Sequence, residues 1–106
     1  MTDDDRILLA EAMGWTNICM KYVAMEDKSY PFGCAPGNVN DKHLKEQIPD
    51  PFNSANDDYA VLEWMRDPNN VTEDQWRRFK DAMERKMYSY MLGDYARARL
   101  KVLKNE

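Results

Sequence analysis

The sequence of 106 residues predicts an α+β fold: a small, helix-dominated domain with about four helices and a short antiparallel sheet of two or three strands. Two observations indicate this class. Four segments combine capping residues with apolar residues at helical spacing, and one segment between the first two is apolar without that spacing. The length fits one domain, residues 1–106, because a chain of this size buries about 65% of its unfolded surface and forms one core.

The first helix is predicted over residues 2–13, with Thr2 or Asp3 as its N-cap. Gly14 ends it, because glycine readily adopts the left-handed conformation of a helix C-terminus. Trp15 is expected to fold back onto the core. Two i,i+4 pairs form the predicted apolar stripe, Leu8 with Ala12 and Leu9 with Met13.

Two strands are predicted in the segment that follows. Residues 16–25 form the first, and residues 30–37 return after a polar turn. Prolines in the second strand predict a sheet edge, since proline lacks the N–H that a ladder needs. The polar connection over residues 38–53, with one helical turn at 42–45, is long enough to suggest a functional loop.

The second helix is predicted over residues 53–66, capped by Asn53 or Ser54 and ended before Pro68. Its predicted core stripe is Ala55, Tyr59, Leu62 and Met65, with Val61 and Trp64 beside it.

The third helix has the clearest start, because Thr72 and Gln75 are spaced as a capping box. We expect it to continue to Leu92, before Gly93, with the stripe Trp76, Phe79, Met83, Met87 and Tyr90. Asp94 then caps a last helix. Its predicted stripe is Ala96, Leu100 and Leu103, with Arg97, Lys101 and Lys104 near the exposed face.

The net charge of −4 conceals an uneven distribution along the chain. Residues 1–60 carry 11 acids and 5 bases, a net −6, whereas residues 76–106 carry 9 bases and 4 acids, a net +5. Such a division favours docking to a charged partner. The alternative is that the C-terminal bases are only the solvated faces of helices.

The residues that could carry chemistry do not form a recognisable catalytic motif. His43 is the only histidine and stands among lysines, and Cys34 is a candidate thiol nucleophile without supporting neighbours. The aspartates of the first and second helices lie in first turns, where carboxylates stabilise the helix dipole. The four glycines form no phosphate-binding motif. We therefore expect no enzyme, with no catalytic residue, no metal site and no cofactor.

The expected location follows from the hydrophobic pattern and the first residues. No apolar run approaches the ~18 residues of a membrane span, so no membrane association is expected. Three consecutive aspartates, from Asp3 to Asp5, are the opposite of the basic leader of a signal peptide. Two cysteines without an export signal predict no disulfide framework. The expected location is a cytoplasm.

Two stretches resemble a known family. Residues 8–15 read Leu-Leu-Ala-Glu-Ala-Met-Gly-Trp, and residues 49–65 read Pro-Asp-Pro-Phe-Asn-Ser-Ala-Asn-Asp-Asp-Tyr-Ala-Val-Leu-Glu-Trp-Met. Over about a quarter of the chain they resemble the small phage and prophage proteins of the ABA-sandwich type. The resemblance implies an α/β sandwich with a small antiparallel sheet, no assigned reaction and no catalytic residues to transfer. After residue 70 the chain departs from the family pattern, because it predicts helices in place of further strands.

We therefore expect a non-catalytic phage or prophage accessory protein in the cytoplasm of a bacterial host cell. It would bind a host or phage protein, for example as an inhibitor of a host defence or regulatory complex. Acids that could mimic nucleic acid are the candidate partner-binding residues: Asp3, Asp4, Asp5, Asp50, Asp57 and Asp58.

The alternative is a nucleic-acid-binding protein that uses the basic C-terminal helices. Its candidate residues are Arg77, Arg78, Arg85, Arg97 and Arg99. These arginines alternate with aromatic residues that can stack on bases. The sequence pI near 5.0 argues against this alternative, since dedicated binders are usually basic.

Overall fold

The computed structural model describes residues 3–36, 45–84 and 89–104, which form four helices and a three-stranded antiparallel sheet. This confirms the α+β prediction. The elements in chain order are α1 Asp3–Ala12, β1 Thr16–Val23, β2 Lys28–Cys34, β3 Glu46–Gln47, α2 Ala55–Arg66, α3 Glu73–Glu84 and α4 Asp94–Lys104. The chain divides into two compact units, the N-terminal unit Met1–Pro49 and the C-terminal unit Asp50–Glu106. The assignment of residues 1–106 to one domain stays a prediction.

In the N-terminal unit, α1 packs on the sheet. The strand order is β1-β2-β3, with Cys19 paired to Phe32 and Phe32 paired to Gln47. The Arg6 guanidinium donates to the carbonyl oxygens of Ile48 at 2.9 Å and Pro49 at 3.3 Å, which ties α1 to the segment after β3. Gly14, with φ of 94°, ends α1 as predicted.

The buried side of α1 differs from the predicted stripe. Arg6, Leu9 and Ala10 are its buried residues, whereas Leu8 is 36% exposed. Arg6 accounts for the difference. Its hydrogen bonds to the two carbonyl oxygens allow a charged side chain to be buried, whereas the apolar pattern predicted only apolar residues on the buried side of α1.

β2 is the central strand and not the predicted edge strand. Proline has no backbone N–H to donate. Pro31 is tolerated in β2 because the missing N–H would point towards β3, which pairs with β2 only at Phe32 and Gly33. The Pro31 carbonyl oxygen still accepts from the Ile48 backbone N–H at 3.1 Å.

The C-terminal unit packs α2, α3 and α4 around one apolar cluster: Leu62, Met65, Val71, Phe79, Ala98 and Val102. Local capping confirms the predicted helix starts. The Ser54 Oγ accepts from the Asp57 N–H at 3.3 Å. Thr72 and Gln75 form the capping box, with Gln75 N–H to Thr72 Oγ1 at 3.2 Å and Thr72 N–H to Gln75 Oε1 at 2.9 Å.

Two predictions in this unit are wrong in detail. The buried residues of α2 are Asp58, Val61, Leu62 and Met65, while Ala55 is exposed and Tyr59 is 50% exposed. The third helix does not continue to Leu92, since residues 89–92 are not helical. Asp58 is buried where the pattern predicted Tyr59, and the segment before α4 donates to its carboxylate through the Gly93 N–H. Met87, His43 and residues 42–44 of the predicted helical turn at 42–45 lie outside the described residues, and Lys45 is not helical.

Candidate binding surfaces

The most constrained polar group of the C-terminal unit is the carboxylate of Asp58, which is 0% exposed. Its Oδ1 accepts from the Ala96 N–H at 2.9 Å. Its Oδ2 accepts from the Tyr90 hydroxyl at 2.5 Å and from the backbone N–H groups of Gly93 at 3.2 Å and Tyr95 at 3.4 Å. A carboxylate has about four acceptor sites, so this one is saturated by donors from α4 and the segment before it.

Asp58 therefore caps α4 from a different helix. The N–H groups of Tyr95 and Ala96 belong to the first turn of α4, which has no intrahelical acceptor and carries the positive end of the helix dipole. Asp94 completes the arrangement, because its Oδ2 accepts from the Met91 N–H at 2.7 Å and its Oδ1 accepts from Arg97 Nη2 at 2.9 Å. The segment before α4 is held open by these bonds, which explains why it is not a continuation of α3.

One of the predicted partner-binding acids is not at the surface. Asp58 is buried and saturated, so it cannot contact a partner in this structure. Asp57 and Asp50 are half-buried, and the Asp57 Oδ2 accepts from the Asp50 N–H at 2.9 Å. Asp3 and Asp4 are exposed and Asp5 is half-buried in the first turn of α1, in the other unit.

One of the predicted nucleic-acid arginines is also buried. Arg99 is 5% exposed and lies on the buried side of α4. Arg97 Nη2 contacts Asp94 at 2.9 Å, and Arg78 Nε contacts Asp74 at 3.0 Å. Arg77 is exposed on α3, and Arg85 lies outside the described residues. Burial therefore removes Arg99 from the predicted phosphate-binding set.

Sequence reasoning missed a basic and aromatic surface on the sheet of the N-terminal unit. We name it the lysine face; its residues are Lys21, Lys28, Tyr30, Phe32 and Lys45. Side chains alternate between the two faces of a strand. The pairing of Lys21 with Tyr30 and of Cys19 with Phe32 places these residues on one face.

Contacts between side chains confirm that the lysine face is one surface. Lys21 Nζ lies 5.4 Å from the ring centroid of Phe32, and Lys28 Nζ lies 5.8 Å from that of Tyr30. Lys45 Nζ donates to Cys19 Sγ at 3.3 Å. The three lysines are exposed and both rings are half-buried. Residues 19–23 read Cys-Met-Lys-Tyr-Val, which does not alternate between polar and apolar side chains, so the sequence carries no signal for this face.

The opposite face of β1 and the turn after it carry exposed apolar side chains. Met20 is 49% exposed, Tyr22 is 59% exposed and Met25 is 97% exposed. We name these three residues the apolar margin. The Tyr22 hydroxyl donates to Asp27, and this hydrogen bond raises the pKa of Tyr22. β1 is the edge strand of the sheet, and within the described residues its outer side pairs with no other strand.

Metal-binding clusters, thiols, membrane spans and cavities complete the description of the part of the chain that the structure covers. Those residues contain no cluster of three or more histidine, cysteine, aspartate or glutamate side chains that could hold a metal ion. Cys19 and Cys34 are free thiols, the first exposed and the second half-buried. No helix of the described ranges is long and apolar enough to cross a membrane. A cavity of about 300 Å³ between the end of α2 and the start of α3 is lined mainly by Met65, Pro68, Val71 and Trp76.

The role of Asp58 predicts a large loss of stability in the variant Asp58→Ala. Four donors lose their acceptor, three of them backbone N–H groups, so we expect the free energy of unfolding to fall by on the order of 3 kcal/mol. Urea unfolding measures this. Asp81→Ala, at an exposed position of α3, is the control and should change stability by less than about 0.5 kcal/mol. Tyr90→Phe removes one donor and should cost about 1 kcal/mol. Equal stability of Asp58→Ala and Asp81→Ala would contradict the assigned role.

Tyr90 predicts a pH dependence of stability. Loss of hydration, the hydrogen bond to Asp58 and the charge of Asp58 raise the pKa of Tyr90 to about 12 from 10.0. The fold favours the neutral phenol, so this stabilisation is complete below pH 10 and is lost as the pH rises towards 12. The difference in unfolding free energy between wild type and Tyr90→Phe should shrink across that range. A difference that stays constant with pH would refute the coupling.

Comparison of the chain with protein-family models, curated proteins and solved structures gives no match.

Proposed function

We propose that this chain is a non-catalytic phage or prophage accessory protein that acts in the bacterial cytoplasm by binding a host or phage protein. Inhibition of a host defence or regulatory complex is the most concrete form of this function. Two lines support the proposal. The first is the resemblance of residues 8–15 and 49–65 to phage proteins of the ABA-sandwich type. The second is the geometry of β1 in the N-terminal unit.

The exposed edge strand β1 is the observation that carries the proposal. None of its eight residues is buried, and six are exposed. An edge strand presents N–H and C=O groups that can pair with a strand from another chain. Short protected edges are usual in proteins that avoid such pairing, whereas β1 is long for its sheet. An extended protein segment that adds to β1 satisfies these backbone groups.

The apolar margin favours a protein segment as the partner that adds to the edge of β1. Met20 and Tyr22 lie on one face of β1, and Met25 follows in the adjoining turn. Side chains at alternate positions of an added strand would cover Met20 and Tyr22, which removes apolar surface from water. Methionine adapts to differently shaped partners because its side chain is flexible.

Other versions of the function have less support. The six acids predicted to mimic nucleic acid include Asp58, which is buried and so is not available to a partner. The arginines predicted to bind nucleic acid include Arg99, which is only 5% exposed, and Arg97, which forms an ion pair with Asp94.

The variant Met20→Lys tests the proposed site. A lysine on an edge strand opposes the addition of another strand, so we expect a protein captured from bacterial lysate to be retained about tenfold less, a change of about 1.4 kcal/mol. Lys21→Gln is the matched control, since it alters the next residue on the other face and should retain the partner. In the wild-type complex, hydrogen exchange at β1 should slow, because its N–H groups gain acceptors.

Two results would overturn this proposal. One is equal capture by wild type and Met20→Lys, with circular dichroism confirming that both are folded. The other is a wild-type dimer in light scattering that Met20→Lys converts to a monomer, since the occupant of the edge would then be a second copy of the chain.

A further inference from the structure

We infer that the lysine face, on the side of the sheet away from the apolar margin, binds single-stranded nucleic acid. This goes beyond the proposed protein partner and uses different side chains. It also differs from the nucleic-acid site predicted from the C-terminal arginines. The inference rests on the combination of three ammonium groups with two aromatic rings on one open sheet face.

The charge of the lysine face complements a phosphate backbone. Lys21, Lys28 and Lys45 are the lysines in the described part of the N-terminal unit, and all three are exposed. Lys21 and Lys28 each lie over one of the two rings, and Lys45 contacts Cys19, which pairs with Phe32. Single strands of nucleic acid are held by grooves or faces that combine such cations with aromatic side chains. Each lysine that contacts a phosphate releases counterions and so makes binding depend on salt.

The two rings are spaced for consecutive bases. Tyr30 and Phe32 are separated by one residue on β2 and point to the same face, so their backbones are about 6.7 Å apart. Bases stack on rings presented by a sheet in this way only when they are unpaired, which favours a single strand over a duplex. The ammonium groups of Lys21 and Lys28 lie near the rings, so they can contact the phosphates of a strand whose bases stack there.

Two acidic groups of the sheet region can be placed relative to the lysine face. Glu46 pairs with Gly33 and lies on the other face by alternation. Glu26 borders the face. Its carboxylate accepts a hydrogen bond from the Tyr30 hydroxyl, and this bond raises the pKa of Tyr30. The net charge of −4 is summed over the whole chain, whereas the lysine face itself carries three lysines with Glu26 at its border.

Fluorescence anisotropy with a labelled oligothymidine tests the inference on the full chain. The logarithm of the binding constant should fall against the logarithm of salt concentration with a slope of about −2, the value for three phosphate contacts on a single strand. Lys21→Gln should reduce that slope by about 0.7. Phe32→Leu should weaken binding about tenfold and leave the slope unchanged, because it removes a stacking surface and no charge.

A lysine of the same kind on another element provides the matched control. Lys80 Nζ lies 5.9 Å from the ring centroid of Trp76 on α3, so Lys80→Gln removes a similar cation–ring pair outside the lysine face. We expect Lys80→Gln to bind as wild type does. Circular dichroism of each variant confirms that the fold is retained. Met20→Lys should also bind the oligonucleotide, which separates this test from that of the protein partner.

Three outcomes would overturn the inference. The first is the absence of binding at low salt, where phosphate contacts are strongest. The second is a loss of binding in Lys80→Gln with none in Lys21→Gln, which would move the site to α3. The third is equal competition by oligoglutamate together with full binding by Phe32→Leu, since the occupant would then be an acidic protein segment.

Discussion

The buried carboxylate of Asp58 is the constraint on which the C-terminal unit depends. It joins α2 to the first turn of α4 and holds Tyr90 and Gly93 in the segment between α3 and α4. A buried charge without partners is costly, but here the two carboxylate oxygens accept four hydrogen bonds, three at Oδ2 and one at Oδ1. Gly93 completes this turn, because it has φ of 90° and an added Cβ would lie 2.9 Å from Phe52 Cδ1. A residue that resembles a surface cap is thus the internal anchor of its unit.

Local features of the fold were predictable from the sequence, whereas long-range ones were not. Thr72 and Gln75 bond each other across three residues, so their spacing alone reveals the capping box. The partners of Asp58 lie 32 to 38 residues further along the chain, and no local pattern points to them. For this reason the apolar periodicity predicted Tyr59, and not Asp58, as a buried residue of α2. The missed end of α3 follows from the same bonds, because they compete with helix continuation.

The candidate binding surface was missed for a related reason. Which β1 residues share a face with Tyr30 and Phe32 depends on strand register, and a slip of one residue exchanges the faces. The register shifts between Thr16 and Cys19, where Asn17 has φ of 52°. That irregularity cannot be located by alternation of polarity alone. The proposed division of roles follows: Asp58 and Asp94 maintain the fold of the C-terminal unit, while the sheet of the N-terminal unit offers the surfaces for partners.

A residue-resolved NMR titration of the labelled protein with oligothymidine tests this division most directly. It reports every backbone amide of both units under one set of conditions. We expect chemical-shift changes at residues 19–21 of β1 and 28–32 of β2, with the amides of α3 and α4 unchanged. Changes confined to the helices that carry Arg77, Arg78 and Arg97, with the sheet unaffected, would contradict it.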